Sequence, residues 1–154
     1  MVTNARFVHT NLVARDWQCL AQFYERVFGC TPVPPERDLS GQWLEEATGI
    51  NGAHIQGIHL RLPGHGDAGP TLEVFQYNPE ENGPTPAANR PGFGHIAFAV
   101  DDVEATRQAV LAAGGGELGK VVSVEVTGAG AITFAYLTDP EGNIVEVQRW
   151  EKIG

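Results

Sequence analysis

Hydrophobic and polar positions along the chain recur with two periods, near two and near 3.6, and the switching between them predicts the elements. The stretch RFVHTNLVA alternates and predicts a strand. DWQCLAQFYERVFG then opens on a capping Asp16, sets Trp17, Leu20, Tyr24 and Val27 on one helical face, and stops at Gly29, which predicts an amphipathic helix. The proline-rich TPVPPERD leads to a short helix at SGQWLEEATG and to strands at HIQGIHLRL and PTLEVFQY. NPEENGPTPAANRPG has the composition of a linker. Beyond it, FGHIAFAV predicts a strand, DDVEATRQAVLAAGG a helix and, after a Gly-rich connection, AITFAYLT and NIVEVQRW two more strands.

The order repeats. An offset of 86 lays Phe7 on Phe93, His9 on His95, Asp16 on Asp102 and Gly29 on Gly115. TLEVF also matches IVEVQ, pairing Glu73 with Glu146; the offset there is 73, so the first half carries 13 extra residues. Each half thus offers one His on its first strand and one Glu on its last. Successive side chains of a strand point to opposite faces, so Val8 and Leu12, Ile96 and Phe98, Leu72 and Val74, and Val145 and Val147 form an apolar face for the two helices. The His and Glu residues share the other face with Phe7, Asn11, Thr71, Phe75, Tyr77, Phe93, Ile144, Gln148 and Trp150, a mixture suited to a concave site. Glu146 sits between two valines at a strand centre, where an unpaired carboxylate would cost several kcal/mol. Two imidazoles and two carboxylates converging in one cavity would repel or titrate unless a cation held them, so Glu146 is expected to face a metal.

Composition narrows the partners. At 154 residues the chain is long enough for one core or for two small modules. Cys19 and Cys30, no secretory-type leader and no apolar run near twenty residues lead to the expectation of a cytoplasmic protein with reduced thiols. A net charge of −9 with scattered basic residues offers no footprint for nucleic acid or an anionic membrane. A small molecule is the expected partner.

FVHTNLVARDWQCLAQFYERVFG, GFGHIAFAVDDVEATRQAVLAAGG and AYLTDPEGNIVEVQ resemble the vicinal oxygen chelate superfamily, which includes glyoxalase I, methylmalonyl-CoA epimerase, extradiol dioxygenases and fosfomycin- and bleomycin-resistance proteins. The resemblance spans nearly the whole chain, and DPxGNxxE is its most specific element. It implies an α+β fold in which two βαβββ modules form an open barrel-like cavity around a divalent metal ion. Residues 1–154 would then be one domain, with module 1 at 5–78, a linker at 79–91 and module 2 at 92–150. By motif match the ligands fall on His9, Glu73, His95 and Glu146. Nickel, zinc, cobalt, manganese and iron all suit such donors, and a homodimer is implied.

The His-Glu-His-Glu set resembles that of bacterial glyoxalase I, whereas extradiol dioxygenases use His, His and Glu around iron. Glutathione-using members carry an Arg and an Asn where this chain has Val13 and Tyr77, with Asn78 one residue late, which argues against glutathione. Gly57, His59 and Arg61 share a strand face that could supply another polar handle, with Arg61 gripping a carboxylate. Asn11, His59, Arg61, Phe75, Tyr77, Phe93 and Gln148 are the candidate substrate-binding residues. The resemblance implies a metal-dependent, glyoxalase I-like lyase or isomerase that moves a proton next to a carbonyl in a small oxo or hydroxy compound or its thiol or thioester adduct. Glu146 and Glu73 are the candidate catalytic carboxylates. The alternatives are an iron-dependent extradiol dioxygenase and a non-catalytic drug-binding protein. Taken singly, His54, His59 and His65 read as ordinary strand or loop residues, Phe134 and Tyr136 as packing, and Asp139 with Gly142 as turn geometry.

Overall fold

The computed structural model describes residues 4–151, and the chain divides between Asn82 and Gly83 into two compact units. The first runs β1 (His9–Val13), α1 (Trp17–Phe28), β2 (Thr31–Ser40), α2 (Gln42–Thr48), β3 (His54–Arg61) and β4 (Thr71–Asn78). Its open sheet has the order β1-β4-β3-β2, with β1 parallel to β4 and the other neighbours antiparallel. The second runs β5 (Ile96–Ala99), α3 (Val103–Ala112), β6 (Gly116–Glu117), β7 (Val122–Val126), β8 (Gly130–Thr138) and β9 (Ile144–Glu151). Its order is β5-β9-β8-β6, again with the first strand parallel to the last, and β7 also pairs with β8. The fold is α+β, and the repeated βαβββ topology is present in both units.

Caps and packing explain why the repeat folds as it does. Asp16 accepts the Cys19 backbone N–H at 3.0 Å and Asp102 that of Ala105 at 2.9 Å, each satisfying a donor that the first helical turn leaves open. Such a cap is worth about 1 kcal/mol. Leu20, Ala21, Phe23 and Tyr24 of α1 are buried, as are Leu60, Leu72 and Val74 on the strands it packs against. Val103 and Val110 of α3 repeat this beside Ala135, Leu137, Val145 and Val147. Each such aliphatic side chain contributes roughly 1.5–3 kcal/mol by leaving water. Val8 departs from the expected apolar face: it precedes β1 and is exposed.

Three local features differ from the sequence reading. The proline-rich segment lies in β2, an edge strand whose register against β3 shifts between Val33 and Arg37, where Pro34 and Pro35 sit. An edge and a register shift are the places where a missing N–H breaks no ladder bond. The Gly-rich connection holds β6 and β7, the latter exposed along its length. Helix α3 ends at Ala112, and the left-handed residue that follows its Ala113 cap is Gly114, with φ +92°, and not Gly115. Gly115 instead permits a close approach, since a Cβ there would run into the Thr138 carbonyl and Val110. The turn DPEGN is as expected: the buried Asp139 accepts the Glu141 and Asn143 backbone N–H groups, each at 2.9 Å, and the Asn143 amide.

Both cysteines are free thiols, Cys19 exposed and Cys30 buried behind α1. Burial, helped by the Glu25 charge, pushes the Cys30 thiol up to about 12. Because the thiolate is the reactive form, Cys19 alone should react with a disulfide reagent in the native protein at pH 8, and both should react in denaturant. The raised value also means that Cys30 favours the folded state below its unfolded pKa, near 9, and that this contribution is lost as pH rises toward 12. Two fast-reacting thiols in the native protein would contradict this placement.

Candidate metal centre

In the first unit the site grows out of strand register. Parallel pairing sets Asn11 of β1 beside Glu73 of β4, and antiparallel pairing sets His59 of β3 on its other side. Side chains at paired positions share a face, and His9, two residues before Asn11, shares it as well. The Glu73 carboxylate is largely buried, and its two oxygens have different neighbours. Oε1 lies 3.1 Å from His9 Nε2 and 3.4 Å from the Asn11 amide nitrogen; Oε2 lies 2.9 Å from His59 Nε2. His59 Nδ1 contacts the Thr71 hydroxyl at 3.1 Å, and its ring stands edge-on to Phe75 and to His9. Burial holds the His59 pKa below the usual imidazole value, against the raising effect of Glu73, with Arg37, His9 and Arg61 adding to the lowering. The neutral ring is favoured.

The second unit repeats the geometry with one change. Ala97 and Tyr136 flank Glu146 in the registers that Asn11 and His59 hold about Glu73. His95 Nε2 lies 3.0 Å from Glu146 Oε2, and the His95 ring meets Tyr136 edge-on at 5.0 Å. The offsets also locate the extra residues of the first half. His59 and Tyr136 differ by 77, so nine extra residues (86 − 77) fall before β3, where α2 lies, and four (77 − 73) in the β3–β4 loop.

The donor set suits a divalent ion of hard or borderline character. Two neighbouring ligands of an octahedral ion with bonds of about 2.1 Å stand roughly 3.0 Å apart. His9 with Glu73, and His95 with Glu146, stand at 3.1 and 3.0 Å, the distance of a hydrogen bond between them and one that a shared ion would also accommodate. Among the described residues no group of three or more His, Cys, Asp and Glu is disposed for an ion, so what each unit presents is a pair.

The candidate substrate-binding residues are distributed more widely. Asn11 and His59 touch Glu73. The Arg61 guanidinium donates to the Gly69 carbonyl and so ties down the β3–β4 loop. Phe75 and Tyr77 pack with Leu44, Ala53 and Ile55, where α2 covers part of the first sheet. Gln148 accepts from the Trp150 indole at 2.7 Å, and Phe93 is fully exposed. His54 pairs with Asp38 at 2.5 Å across β2 and β3. The contact of His59 with Glu73 and that of Tyr136 with His95 are what single-residue reasoning missed; the cross-strand register is the signal that finds them.

Comparison with known proteins shows the family and the fold. Residues 6–147 match the family model described as the glyoxalase/bleomycin resistance protein/dioxygenase superfamily. A protein of Vibrio parahaemolyticus named as a probable lactoylglutathione lyase is 28% identical over 148 residues, covering 95% of this chain and 91% of its own. The crystal structure of a glyoxalase family protein from Bacillus cereus superposes with a TM-score of 0.81 at 17% identity, covering 99% of both chains. A genomically encoded fosfomycin resistance protein from Listeria monocytogenes shares the fold with a TM-score of 0.57 at 13% identity, covering 100% of this chain and 96% of its own.

The strand that carries His59 tolerates no added bulk at Gly57. A Cβ there would collide with the Val74 carbonyl oxygen and the Phe75 ring. Gly57→Ala should therefore displace β3 against β4 and destabilise the protein by about 1–3 kcal/mol. Gly119→Ala, where an added methyl meets nothing, is the control and should change little in the same urea melt.

Proposed function

Because the chain belongs to the glyoxalase/bleomycin resistance protein/dioxygenase superfamily, we propose that it is a divalent-metal-dependent lyase or isomerase of the glyoxalase I kind. It would move a proton next to a carbonyl in a small oxo or hydroxy compound or its thiol or thioester adduct. The observation that carries this reading is the His–Glu pair in each unit, His9 with Glu73 and His95 with Glu146. The name of the Vibrio relative points to the same chemistry. His9, Glu73, His95 and Glu146 are the proposed metal ligands, and the bound ion would polarise the carbonyl of the substrate.

This chain's own residues divide the remaining work. His9 and His95 would hold the ion through Nε2, the atoms that face the carboxylates, giving up any proton there to do so. Glu146 takes the proton from one carbon and returns it to its neighbour, a role for which a carboxylate largely shielded from water is suited. Val13 is exposed and Tyr77 is packed on α2, so neither offers the polar grip that glutathione would need. A homodimer and a cytoplasmic location belong to the same proposal. Phe7 and Phe93, equivalent in the repeat and both exposed, favour the first; two unpaired thiols favour the second. No helix among the described residues is long and apolar enough to cross a membrane.

Methylglyoxal with several thiols, acyl-CoA esters and catechols, each offered to metal-reconstituted protein, tests the reaction class. Turnover of an oxo compound or thioester without oxygen uptake supports the proposal. Oxygen uptake with iron and a catechol would replace it with ring cleavage, and the absence of stoichiometric metal and turnover would replace it with a binding role. Glu146→Gln should retain the fold and lose at least about 100-fold in turnover, because the amide keeps the volume but can neither hold the ion as well nor accept the proton. Metal binding should also be visible in stability. Chelation should lower the melting temperature of the metal-loaded protein by several degrees at pH 7.5, and by less at pH 5, where the imidazoles must give up protons to bind.

A further inference from the structure

Glu73 and Glu146 are equivalent in the repeat, yet their cross-strand partners differ in kind: an imidazole in the first unit, a phenol in the second. His59 lies against Glu73 Oε2 at 2.9 Å, while His9 and Asn11 lie against Oε1. A carboxylate only accepts, so His59 carries a proton on Nε2 and donates it to Oε2, while its Nδ1 contacts the Thr71 hydroxyl at 3.1 Å. Thr71 is itself buried and is held by its place on the same strand as Glu73, two residues before it. The chain Thr71, His59, Glu73 therefore ends with one oxygen of the acid occupied and the other turned toward His9.

We propose that His59 is a positioning residue: through its Nε2–H it fixes the Glu73 carboxylate so that Oε1 alone is presented as a one-oxygen ligand to the metal. The inference rests on the metal-dependent reading above and adds a residue to it. Glu73 is by this reasoning the pre-set ligand. Without the imidazole Oε2 would lose its partner and the carboxylate would be held through Oε1 alone, by His9 and Asn11, so that part of the ordering would have to be supplied at the moment of binding. Outer partners of this kind commonly change metal affinity by 10–100-fold.

The test measures cobalt(II) affinity by competition with a chelator, together with the visible absorption of bound cobalt, in protein whose circular dichroism confirms the fold. His59→Phe keeps a ring and removes the donor; it should weaken cobalt binding by 10–100-fold and leave the spectrum at saturation unchanged. His59→Gln keeps an N–H near the place of Nε2 and should recover most of the affinity. Thr71→Val should weaken binding in the same direction by a smaller factor. In a Glu73→Ala background His59→Phe should have no further effect, since the residue it positions is gone. If His59→Phe alters the saturated spectrum as His9→Ala does, His59 is a ligand and the proposal fails. Wild-type affinity in His59→Phe, with Glu73→Ala weakened, overturns the positioning role while leaving the metal reading intact. Wild-type affinity in Glu73→Ala overturns both.

Discussion

A carboxylate placed on an inner strand and largely removed from water must be paired, and both sheets are arranged around that requirement. Glu73 and Glu146 each occupy the strand that lies between a parallel and an antiparallel neighbour. That position gives the acid a companion on both sides at the same height. The parallel neighbour supplies a histidine two residues before the paired position, and the antiparallel neighbour supplies a polar ring at the paired position itself. Strand alternation does the rest: with the acid on one face, Leu72 and Val74, or Val145 and Val147, fall on the other and are buried in the apolar layer beside a helix. The site and the core are two readings of one alternation. A one-residue slip of β4 or β9 would exchange them, which makes the register of these strands the constraint on which the rest depends.

Much of this was legible in the sequence because the repeat carries it. The offset of 86 aligned the histidines and the capping aspartates, and the structure returns both caps with nearly the same geometry. What single strands leave ambiguous, a match between halves decides: an alternating segment with one histidine is common, and two of them at equal distance from equivalent caps are not. The acids were found for the same reason, since Glu73 and Glu146 interrupt otherwise apolar alternation at corresponding places. The DPEGN turn was legible because Asp139 carries its turn chemistry locally, within four residues.

Other features had no local signal, or one that pointed elsewhere. Three prolines argue against a strand interior, and β2 is nevertheless a strand, because it lies at an edge and breaks register where two of the prolines sit. Adjacent glycines at a helix end leave the stop undecided between Gly114 and Gly115; only the packing of Val110 and Thr138 separates the left-handed residue from the one that lacks room for a side chain. The assignment of Phe75 and Tyr77 to an open site face took no account of α2, which has no counterpart in the second half and covers that end of the first sheet. His59 was hidden in a further way. Its importance lies in a cross-strand pairing whose offset, 77, is neither the 86 of the histidines nor the 73 of the acids, so neither of those shifts lays it on Tyr136.

The insertions that obscure the repeat also make the two halves unequal in chemistry. Nine extra residues before β3 give the first unit α2, whose cluster with Ile55 and Phe75 encloses one end of the strand that carries His59. Four more in the β3–β4 loop are tied by Arg61 to the Gly69 carbonyl. The first acid thus stands in the more heavily supported half, with a neutral imidazole and a buried hydroxyl behind it. In the second half Ala97 replaces the amide of Asn11, and the ring of Tyr136 rests against His95. Two carboxylates in equivalent registers are thereby given different degrees of restraint. The proposed metal-dependent proton transfer would use both kinds, one acid that holds its place and one that exchanges its partner for a proton. Duplication of a βαβββ unit supplies the pair of acids; unequal insertion and a single change of cross-strand partner give them different surroundings, and on the proposed function that difference would divide their roles.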